Sequence, residues 1–525
     1  MHVTFYGATR EVTGSFHVLT TSKDRILFDC GMFQGKRREA AAKNRVMPIE
    51  PSLLTNMILS HAHIDHSGRI PLLTKGNFNG RIYCSRATAD ACQYLLRDSA
   101  HIQENDAAYL NYKSAKGILA KMKKGLGGAK VSKQEIKELS QSLKKGRHEL
   151  DNEAINGLVQ EYGLEQIVPL YTMEDAENAL GYFEGVPYNM EFRIGEGMTC
   201  TLYEAGHILG SCVSVVHIDE GDEHKTVMYS GDVGRFDKPI IKDPNLDFAE
   251  KDKDIDLLIM ESTYGDRLHE PARDMKPALA RVIKETYERG GTIIIPAFAY
   301  GRTQEILYFL HELYLEGEVP RLPVYVDSPL AAKITRVFGE HPETYDEDTH
   351  DTFLQKGKNP FSFQELKFVQ SVEESMELNR DQRSHIVLAG SGMCEGGRVL
   401  HHLRHKIHNE KNTILIVGYM GQNTLGRRIQ ELAAEHEAGG YQGPAPVVNF
   451  YNKEYPLKAK VITLGGFSAH GDKNECLRFL TESGLRIKNI AVVHGEEEQS
   501  LAFAEFLREH GFNAEVPHKG QSIAF

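Results

Sequence analysis

The chain has few cysteines, and the seven present form neither an even set nor a C-x-x-C pair. Scattered cysteines of odd number exclude a disulfide framework and a zinc knuckle, so we expect reduced thiols that are mostly buried. No uninterrupted apolar run approaches the ~18 residues of a membrane span, and the first residues lack a basic segment followed by an apolar core. These absences predict a cytoplasmic protein with no membrane partner.

An excess of positive charge is also absent. Asp and Glu outnumber Lys and Arg by 73 to 61, which gives a formal net charge of −12. This balance argues against broad, unspecific binding of polyanions, so any nucleic acid must be met by a local groove. The apolar content of 41% and the charged content of 26% are typical of globular proteins. At 525 residues the chain exceeds the usual limit for a single core, so we expect two or more domains.

Several short apolar runs end in a polar residue of a type that binds metals. The runs are RILFDCG, MILSHAH, TLYEAGH, VMYSGD, LLIMEST, VITLGGFSAH and IAVVHGE. Each has the pattern of a buried strand followed by a loop. Because ligands in layered α/β proteins gather where strands end, we predict that the seven endings converge on one edge of a sheet.

Strands and helices alternate over residues 261–461, as in TIIIPAFA followed by RTQEILYFLHELY. This alternation predicts a parallel sheet with crossover helices. We therefore expect an inserted α/β domain at about residues 266–455. The first domain would consist of residues 1–265 and a return segment, residues 456–525.

A polar, lysine-rich and helix-forming segment lies at about residues 105–170. It contains KGILAKMKKGLGGAKVSKQEIKELSQSLKKGRHEL, in which a Gly-Leu-Gly-Gly break separates two helical patterns. We interpret this segment as a helical insertion in the first domain. A solvated helical hairpin without function and a contact to RNA or a protein partner both remain open.

The segment SHAHIDHSGRIP places three histidines and an aspartate within six positions. His61 and His63 are two apart on a loop, so both side chains can share one metal. Asp65 and His66 follow on the next bend, and four ligands packed so closely cannot all reach one centre in tetrahedral geometry. The crowding therefore predicts two metal ions, and imidazole with carboxylate favours zinc.

Other strand endings supply the remaining ligands. A lone histidine at a strand end is more often a core or capping residue. In this chain the strand-end residues His207, Asp232 and His494 occur together with the HAHIDH segment, so we interpret them as further ligands. Asp232 is the natural bridge, since a carboxylate can hold two cations ~3.5–4 Å apart. One ion is assigned to His61, His63, His207 and Asp232, and the other to Asp65, His66, Asp232 and His494.

The order Asp29, HAHIDH, His207, Asp232 resembles the metallo-β-lactamase superfamily, whose αββα sandwich holds a dinuclear site at one edge. ESTYGD at Glu261, FSAH at His470 and VVHGE at His494 resemble the three additional motifs of the β-CASP nucleases. The inserted domain matches the cassette of that family. The chain resembles a stand-alone prokaryotic relative of the nuclease subunit of the cleavage and polyadenylation specificity factor, over nearly its whole length.

This resemblance implies a zinc-dependent ribonuclease with two zinc ions per chain and an RNA substrate, expected to be single-stranded. The products would carry a 5′-phosphate and a 3′-hydroxyl. His470 would protonate the leaving 3′ oxygen, Glu261 would orient His470, and Asp65 would act at the metal centre. Asp29 would hold the histidine loop from behind, because carboxylates beyond the ligands fix imidazole orientation.

The glycine-rich stretch AGSGMCEGGR follows a predicted strand and opens a helix. Backbone N–H groups in such a loop can hold a phosphate, with Ser391 and Gly392 as the contacts. Arg398 and Arg302 are candidate groove residues. A tight turn with helix capping, and a solvated arginine, are the structural alternatives.

Three other functions stay open. A DNA nuclease of the same superfamily is disfavoured by His494, because that motif tends to carry valine in DNA-acting members. A small-molecule hydrolase would not need the cassette, and a non-catalytic RNA-binding scaffold would have lost ligands that this chain keeps. The sequence leaves open the endonucleolytic or 5′-3′ exonucleolytic mode, the RNA motif and a possible homodimer.

Overall fold

The computed structural model describes residues 1–35, 37–123, 132–145 and 150–525. The Gly-Leu-Gly-Gly break of the insertion lies outside the described residues. The described helices are α1 (Arg37–Arg45), α2 (Ile64–Ser67), α3 (Ile70–Lys75), α4 (Arg86–Lys123), α5 (Lys133–Ser142), α6 (Asn152–Glu161), α7 (Met173–Ala179), α8 (Met275–Glu288), α9 (Arg302–Glu316), α10 (Pro329–Glu340), α11 (Glu347–Thr352), α12 (Val372–Arg380), α13 (Val399–Lys406), α14 (Leu425–Ala438), α15 (Lys473–Glu482) and α16 (Glu497–Glu509).

The strands of the described chain belong to three large sheets and one hairpin. They are β1 (His2–Gly7), β2 (Phe16–Thr20), β3 (Arg25–Phe28), β4 (Asn56–Ile58), β5 (Ile82–Ser85), β6 (Phe183–Val186), β7 (Glu191–Gly195), β8 (Met198–Glu204), β9 (Cys212–Glu220), β10 (Glu223–Tyr229), β11 (Asp254–Glu261), β12 (Ile293–Pro296), β13 (Val324–Asp327), β14 (Leu366–Phe368), β15 (Ile386–Ala389), β16 (Thr413–Ile416), β17 (Val447–Phe450), β18 (Lys453–Pro456), β19 (Lys460–Thr463), β20 (Arg486–Val493), β21 (Ala514–Glu515) and β22 (Ser522–Ala524).

Two seven-stranded sheets pack face to face. Their strand orders are β22-β1-β2-β3-β4-β5-β6 and β21-β20-β11-β10-β9-β8-β7. Phe28 and Ile58 of the first sheet share one buried core with Val216, Leu257 and Ala491 of the second. Helices α15 and α16 pack on the outer face of the second sheet, where their apolar residues join a separate core. The αββα sandwich implied by the resemblance is confirmed, and both faces of each sheet are covered as layered folds require.

The third sheet has the order β14-β13-β15-β12-β16-β19, and all its neighbouring strands are parallel. Helices follow β12, β13, β15 and β16, so the predicted parallel sheet with crossover helices is confirmed. Its last strand, Lys460–Thr463, pairs with β16. Since this strand lies beyond residue 455, we propose that the inserted domain extends through Thr463.

Helix α4 begins at Arg86, well before the expected start of the helical insertion. Its second half shares a small apolar core with α5 and α6, formed by residues such as Leu119, Ile136 and Ile155. These helices therefore pack as a unit. None of the helices that the structure describes has the length and apolar character needed to cross a lipid bilayer.

Six of the seven predicted strand endings belong to the two stacked sheets, namely those after β3, β4, β8, β10, β11 and β20. The seventh follows β19 and belongs to the third sheet. The expectation of a single sheet edge is thus corrected. Face-to-face packing brings two sheet edges together, and the third sheet delivers the last loop to the same place.

Candidate metal centre

The histidine loop lies between β4 and α2. Its backbone is closed by a bond from the His66 N–H to the His63 carbonyl oxygen, 3.0 Å long, and the Ser67 hydroxyl donates to the carbonyl oxygens of Ala62 and His63. This tight turn brings the side chains on both sides of it together. The residues of the HAHIDH segment are therefore placed by local backbone structure before any metal is considered.

The first predicted ligand set lies in one cluster. The Nδ1 atom of His63 is 3.0 Å from Nε2 of His61 and 3.4 Å from Nε2 of His207. The Oδ2 atom of Asp232 is 3.5 Å from the His61 nitrogen and 3.6 Å from the His207 nitrogen. Tetrahedral zinc ligands at ordinary bond lengths lie about 3.3 Å from one another. The donor atoms and spacings fit one zinc ion.

The second set lies beside the first. Nε2 of His66 is 3.0 Å from Nε2 of His494, which is 3.7 Å from Oδ2 of Asp65. The same Oδ2 of Asp232 that faces the first cluster is 3.3 Å from the His66 nitrogen. One oxygen of Asp232 thus borders both clusters. Its other oxygen, Oδ1, is buried and has no hydrogen-bond partner among the described residues.

The electrostatics of the cluster suit a cation. Burial lowers the pKa of His61 and His207 well below the ordinary value and that of His63 to about 4, so these imidazoles are neutral, the form that binds metals. Burial raises the pKa of Asp232, but the neighbouring histidines, His494 foremost, hold it well below its usual range. The first cluster therefore offers neutral nitrogens around an ionised, buried carboxylate. In the second cluster burial would lower the pKa of His66, but Asp232 and Asp29 raise it well above the ordinary value.

Asp29 lies behind the histidines. Its Oδ2 is 2.6 Å from Nδ1 of His66 and accepts a bond from the Ser60 hydroxyl, while its Oδ1 accepts the Ser60 N–H at 2.8 Å. Because the Ser60 hydroxyl donates to Asp29, it accepts from Nδ1 of His61, 3.1 Å away. Tyr229 donates a further bond to Asp29. These contacts leave Nε2 of His61 and of His66 free for a metal.

Thr263 holds the imidazole ring of His494 through Nδ1. Its hydroxyl donates to the His494 carbonyl oxygen at 3.0 Å and lies 3.1 Å from Nδ1 of His494, so it accepts from that nitrogen. This leaves Nε2 of His494 directed at Asp65 and His66. The sequence interpretation of ESTYGD named Glu261 and missed Thr263. The hydroxyl two residues after Glu261 was the available signal.

His470 and Glu261 form a hydrogen-bonded pair at the rim of the cluster. Nδ1 of His470 is 3.0 and 3.1 Å from the two carboxylate oxygens of Glu261, and its ring centroid is 4.5 Å from that of His207. Burial would lower the pKa of His470, but the charges of Glu261 and Asp232 raise it to about 9. The side chain keeps 20% of its surface exposed. His470 is therefore a protonated, accessible imidazole beside the metal ligands.

Comparison with known proteins agrees with this geometry. Residues 9–118 match the metallo-beta-lactamase superfamily, residues 303–429 the Beta-Casp domain, and residues 454–517 the Zn-dependent metallo-hydrolase RNA specificity domain. The chain is 33% identical to "Ribonuclease TTHA0252" of Thermus thermophilus, over 100% of both chains. The chain belongs to the Beta-Casp family of the metallo-beta-lactamase superfamily. The family predicted from the motifs is confirmed.

Two archaeal relatives extend the likeness. The chain is 29% identical to "Transcription termination factor FttA" of Methanocaldococcus jannaschii, over 97% of this chain and 69% of that protein. It is 30% identical to an "RNase J-like protein" of the same organism, over 95% of this chain and 94% of that protein. The Beta-Casp domain and the sandwich are thus shared over almost the whole length of this chain.

Hydrogen bonds to Ser391 stabilise the glycine-rich loop of the Beta-Casp domain. The Ser391 hydroxyl accepts the N–H groups of Glu395 at 3.0 Å and Gly396 at 3.2 Å. Gly392 lies under the ring of Phe298, which sequence reasoning did not single out. A Cβ atom on Gly392 would be 2.7 Å from that ring. Both residues are therefore engaged within the protein.

The two arginines predicted for the groove are also engaged. Arg302 keeps only 8% of its side chain exposed, pairs with Glu305 on α9, and stacks over Phe467. Arg398 donates to Oδ1 of Asp327 at 2.6 Å. Arg302 is thus buried and paired within the protein, and its assignment to the RNA groove stays a prediction. An acidic partner one helical turn away neutralises Arg302, as i,i+3 pairs do.

Proposed function

We propose that the protein is a zinc-dependent ribonuclease that hydrolyses RNA phosphodiester bonds to 5′-phosphate and 3′-hydroxyl products. The observation that carries this proposal is the pair of donor clusters sharing Asp232, with His470 and Glu261 beside them. The match to an RNA specificity domain and the full-length similarity to a protein named as a ribonuclease support RNA as the substrate.

Two zinc ions per chain are proposed, one in each donor set. Zinc bound there supplies Lewis-acid activation of water and positive charge opposite an anionic phosphate. Asp29, Ser60 and Thr263 hold the imidazole rings through the nitrogens that face away from the metals. The protein thereby fixes the direction of His61, His66 and His494 before substrate arrives.

His470 is proposed as the general acid. The oxygen of water forms the new bond to phosphorus and releases a proton to solvent, while the bond from phosphorus to the 3′ oxygen breaks. His470 supplies the proton that the 3′ oxygen acquires and is reprotonated from solvent. Glu261 accepts the Nδ1 proton of His470, which leaves Nε2 as the atom that reaches the leaving group. Glu261 also accepts the Val233 N–H at 2.7 Å, so its own position is fixed.

The substrate is proposed to be single-stranded RNA. The experiment compares RNA and DNA of one sequence, each as a single strand and as a duplex, labelled in turn at either end. The zinc-loaded protein is tested before chelation, after chelation and after zinc is restored. We expect zinc-dependent cleavage that is fastest on single-stranded RNA and leaves 5′-phosphate ends.

Each alternative has its own outcome in this experiment. Equal or faster cleavage of DNA would move the protein to the DNA-acting branch of the family. Tight RNA binding without cleavage of any substrate, at full zinc occupancy, would support the non-catalytic scaffold. The pattern of end-labelled products separates endonucleolytic from 5′-3′ exonucleolytic action.

A further inference from the structure

Two aromatic side chains are exposed at the ends of neighbouring strands of the Beta-Casp sheet. Phe298 follows β12 and keeps 39% of its surface exposed, and Tyr419 follows β16 with 41% exposed. Strands β12 and β16 are paired in that sheet. Exposed rings lose the hydrophobic stabilisation that burial would give, so two of them at adjacent strand ends indicate a binding surface.

The ring of Phe298 lies face-on against the glycine-rich loop. Three ring atoms, Cγ, Cδ2 and Cε2, are 2.7 to 2.9 Å from the position that a Cβ atom of Gly392 would occupy. Near-equal distances to three ring atoms mean that the face of the ring, rather than its edge, is turned toward Gly392. The ring also lies 3.9 Å from the corresponding position at Gly418, next to Tyr419. One face is thus supported by backbone, and the ring remains partly open to solvent.

Contacts between aromatic rings connect the segments that carry Phe298 and Tyr419 to the metal centre. Tyr300, two residues after Phe298, has its ring centroid 5.7 Å from that of His63. Tyr419 lies 6.4 Å from Tyr264, whose ring is 6.1 Å from that of His470. The loop of Phe298 therefore reaches the first donor cluster, and Tyr264 links Tyr419 to the proposed general acid.

We propose that Phe298 and Tyr419 stack on unpaired bases of the RNA strand that flank the scissile bond. This inference rests on the proposed ribonuclease function and names the part of the substrate that the site recognises. Every nucleobase presents a flat π-face, so such stacking binds RNA without selecting a sequence, and it requires that the bases be unpaired. It also supplies affinity that a chain of net charge −12, with Arg302 and Arg398 in internal ion pairs, does not gain from broad phosphate contacts.

The test pairs ring removal with base removal. Binding of a fluorescent single-stranded RNA is measured by anisotropy for zinc-loaded protein carrying His470→Ala, which prevents turnover, with and without Phe298→Ala or Tyr419→Ala. A set of RNAs carries one abasic nucleotide at each position in turn. We expect each ring removal to weaken binding of intact RNA by about 5-fold to 150-fold, the range measured for single stacked bases. We expect the loss to shrink severalfold when the abasic nucleotide stands opposite the missing ring.

Matched variants separate stacking from folding. Phe298→Tyr keeps a flat ring and should bind intact RNA as the parent does, whereas Phe298→Leu keeps apolar bulk without a ring and should behave like Phe298→Ala. Tyr441→Ala removes another exposed ring of the same domain, 61% exposed, and should leave binding unchanged. An equal loss on intact RNA and on every abasic RNA would overturn the proposal, as would full recovery with leucine. Failure of the ribonuclease proposal would instead appear as absence of RNA cleavage by the unaltered protein.

Discussion

At the scale of single residues, two buried carboxylates hold imidazole rings by one nitrogen and so direct the other. Asp29 holds His66, a proposed metal ligand, and Glu261 holds His470, the proposed acid. The two pairs differ in what lies opposite the held nitrogen. His66 faces His494 and Asp232 in a buried cluster, whereas His470 stands partly exposed at its rim. The same contact thus suits His66 to its proposed role as a ligand and His470 to its proposed role as a proton donor.

His470→Ala tests the acid. We expect the variant to keep its zinc and to bind RNA nearly normally while losing ~10²–10⁴ in cleavage rate, the range for a positioned acid. A substrate whose bridging 3′ oxygen is replaced by sulfur should recover most of that rate, because a thiolate leaves without needing a proton. The measurement is single-turnover cleavage of both substrates at matched metal occupancy. Loss of zinc, or equal impairment on both substrates, would show that His470 is not the acid.

Asp29→Asn tests the role of the carboxylate behind the ligands. The amide keeps the size of the side chain but removes the charge that holds the Nδ1 proton of His66, so we expect zinc affinity to fall by about 10-fold to 100-fold. Competition with a chromophoric chelator measures the affinity of each site. The control is Asp327→Asn, since Asp327 is also buried and bound by a histidine, His402, but lies in the Beta-Casp sheet. Equal effects of the two substitutions would argue for general destabilisation.

Sequence reasoning named the residues that the structure brings together as two donor clusters, because the HAHIDH segment concentrates four of them in a few positions. It did not find Thr263 or Phe298, because a single hydroxyl near Glu261 is a weak signal and an exposed ring belongs to no periodic pattern. It placed Arg302 on a groove and did not predict its pairing with Glu305, three residues later. The positions of these three residues depend on the partners that each contacts in the folded protein.

At the scale of elements, helix α9 of the Beta-Casp domain is linked to the loop that carries His470. The Lys238 side chain keeps only 9% of its surface exposed, and its Nζ pairs with Oε1 of Glu305 on α9 at 2.6 Å. The same Nζ donates to the Ser468 carbonyl oxygen at 2.9 Å. Arg235 donates to the Gly466 carbonyl oxygen of the same loop at 2.6 Å. The cassette thus contributes to the position of the proposed acid through a buried ion pair.

Lys238→Met tests this link. Loss of the cation removes one of the two cations that pair with Glu305, so that Arg302 alone remains, and it frees the backbone at Ser468. We therefore expect a slower rate on ordinary RNA. The deficit should be smaller on the substrate with bridging sulfur, which does not need the acid. Lys238→Arg should restore part of the rate. Lys242→Met is the control, because Lys242 also joins the two domains, through the Glu343 carbonyl oxygen, but is exposed. An equal deficit on both substrates would mean that Lys238 has only a structural role.

The strand-helix alternation identified the parallel sheet, because each βα unit repeats locally. Its sixth strand, β19, was not assigned to it, since Lys460–Thr463 is separated from β16 by a helix and the hairpin β17-β18. Pairing between distant segments leaves no local pattern. The sequence also did not predict that loops from two stacked sheets converge. It indicated where strands end, but not to which sheet each strand belongs.

At the scale of the whole molecule, the metal centre joins distant parts of the chain. Its proposed ligands run from His61, after a strand of the first sheet, to His494, after a strand of the second. Asp232 lies between the two donor clusters and Thr263 holds His494 from the loop that leads into the Beta-Casp domain. The centre can form only when both sheets are assembled, and Tyr300 of the Beta-Casp domain contacts His63 at its edge.

The most direct test of the dinuclear site is the zinc content of protein purified without chelators, measured by elemental analysis on the sample used for RNA cleavage. We expect about two zinc ions per chain, and cleavage that falls as zinc is withdrawn and returns when it is restored. His63→Ala, which removes a ligand of the first cluster, should lower the zinc content and abolish most cleavage. Intact RNA cleavage by protein holding no more than trace metal would contradict the account.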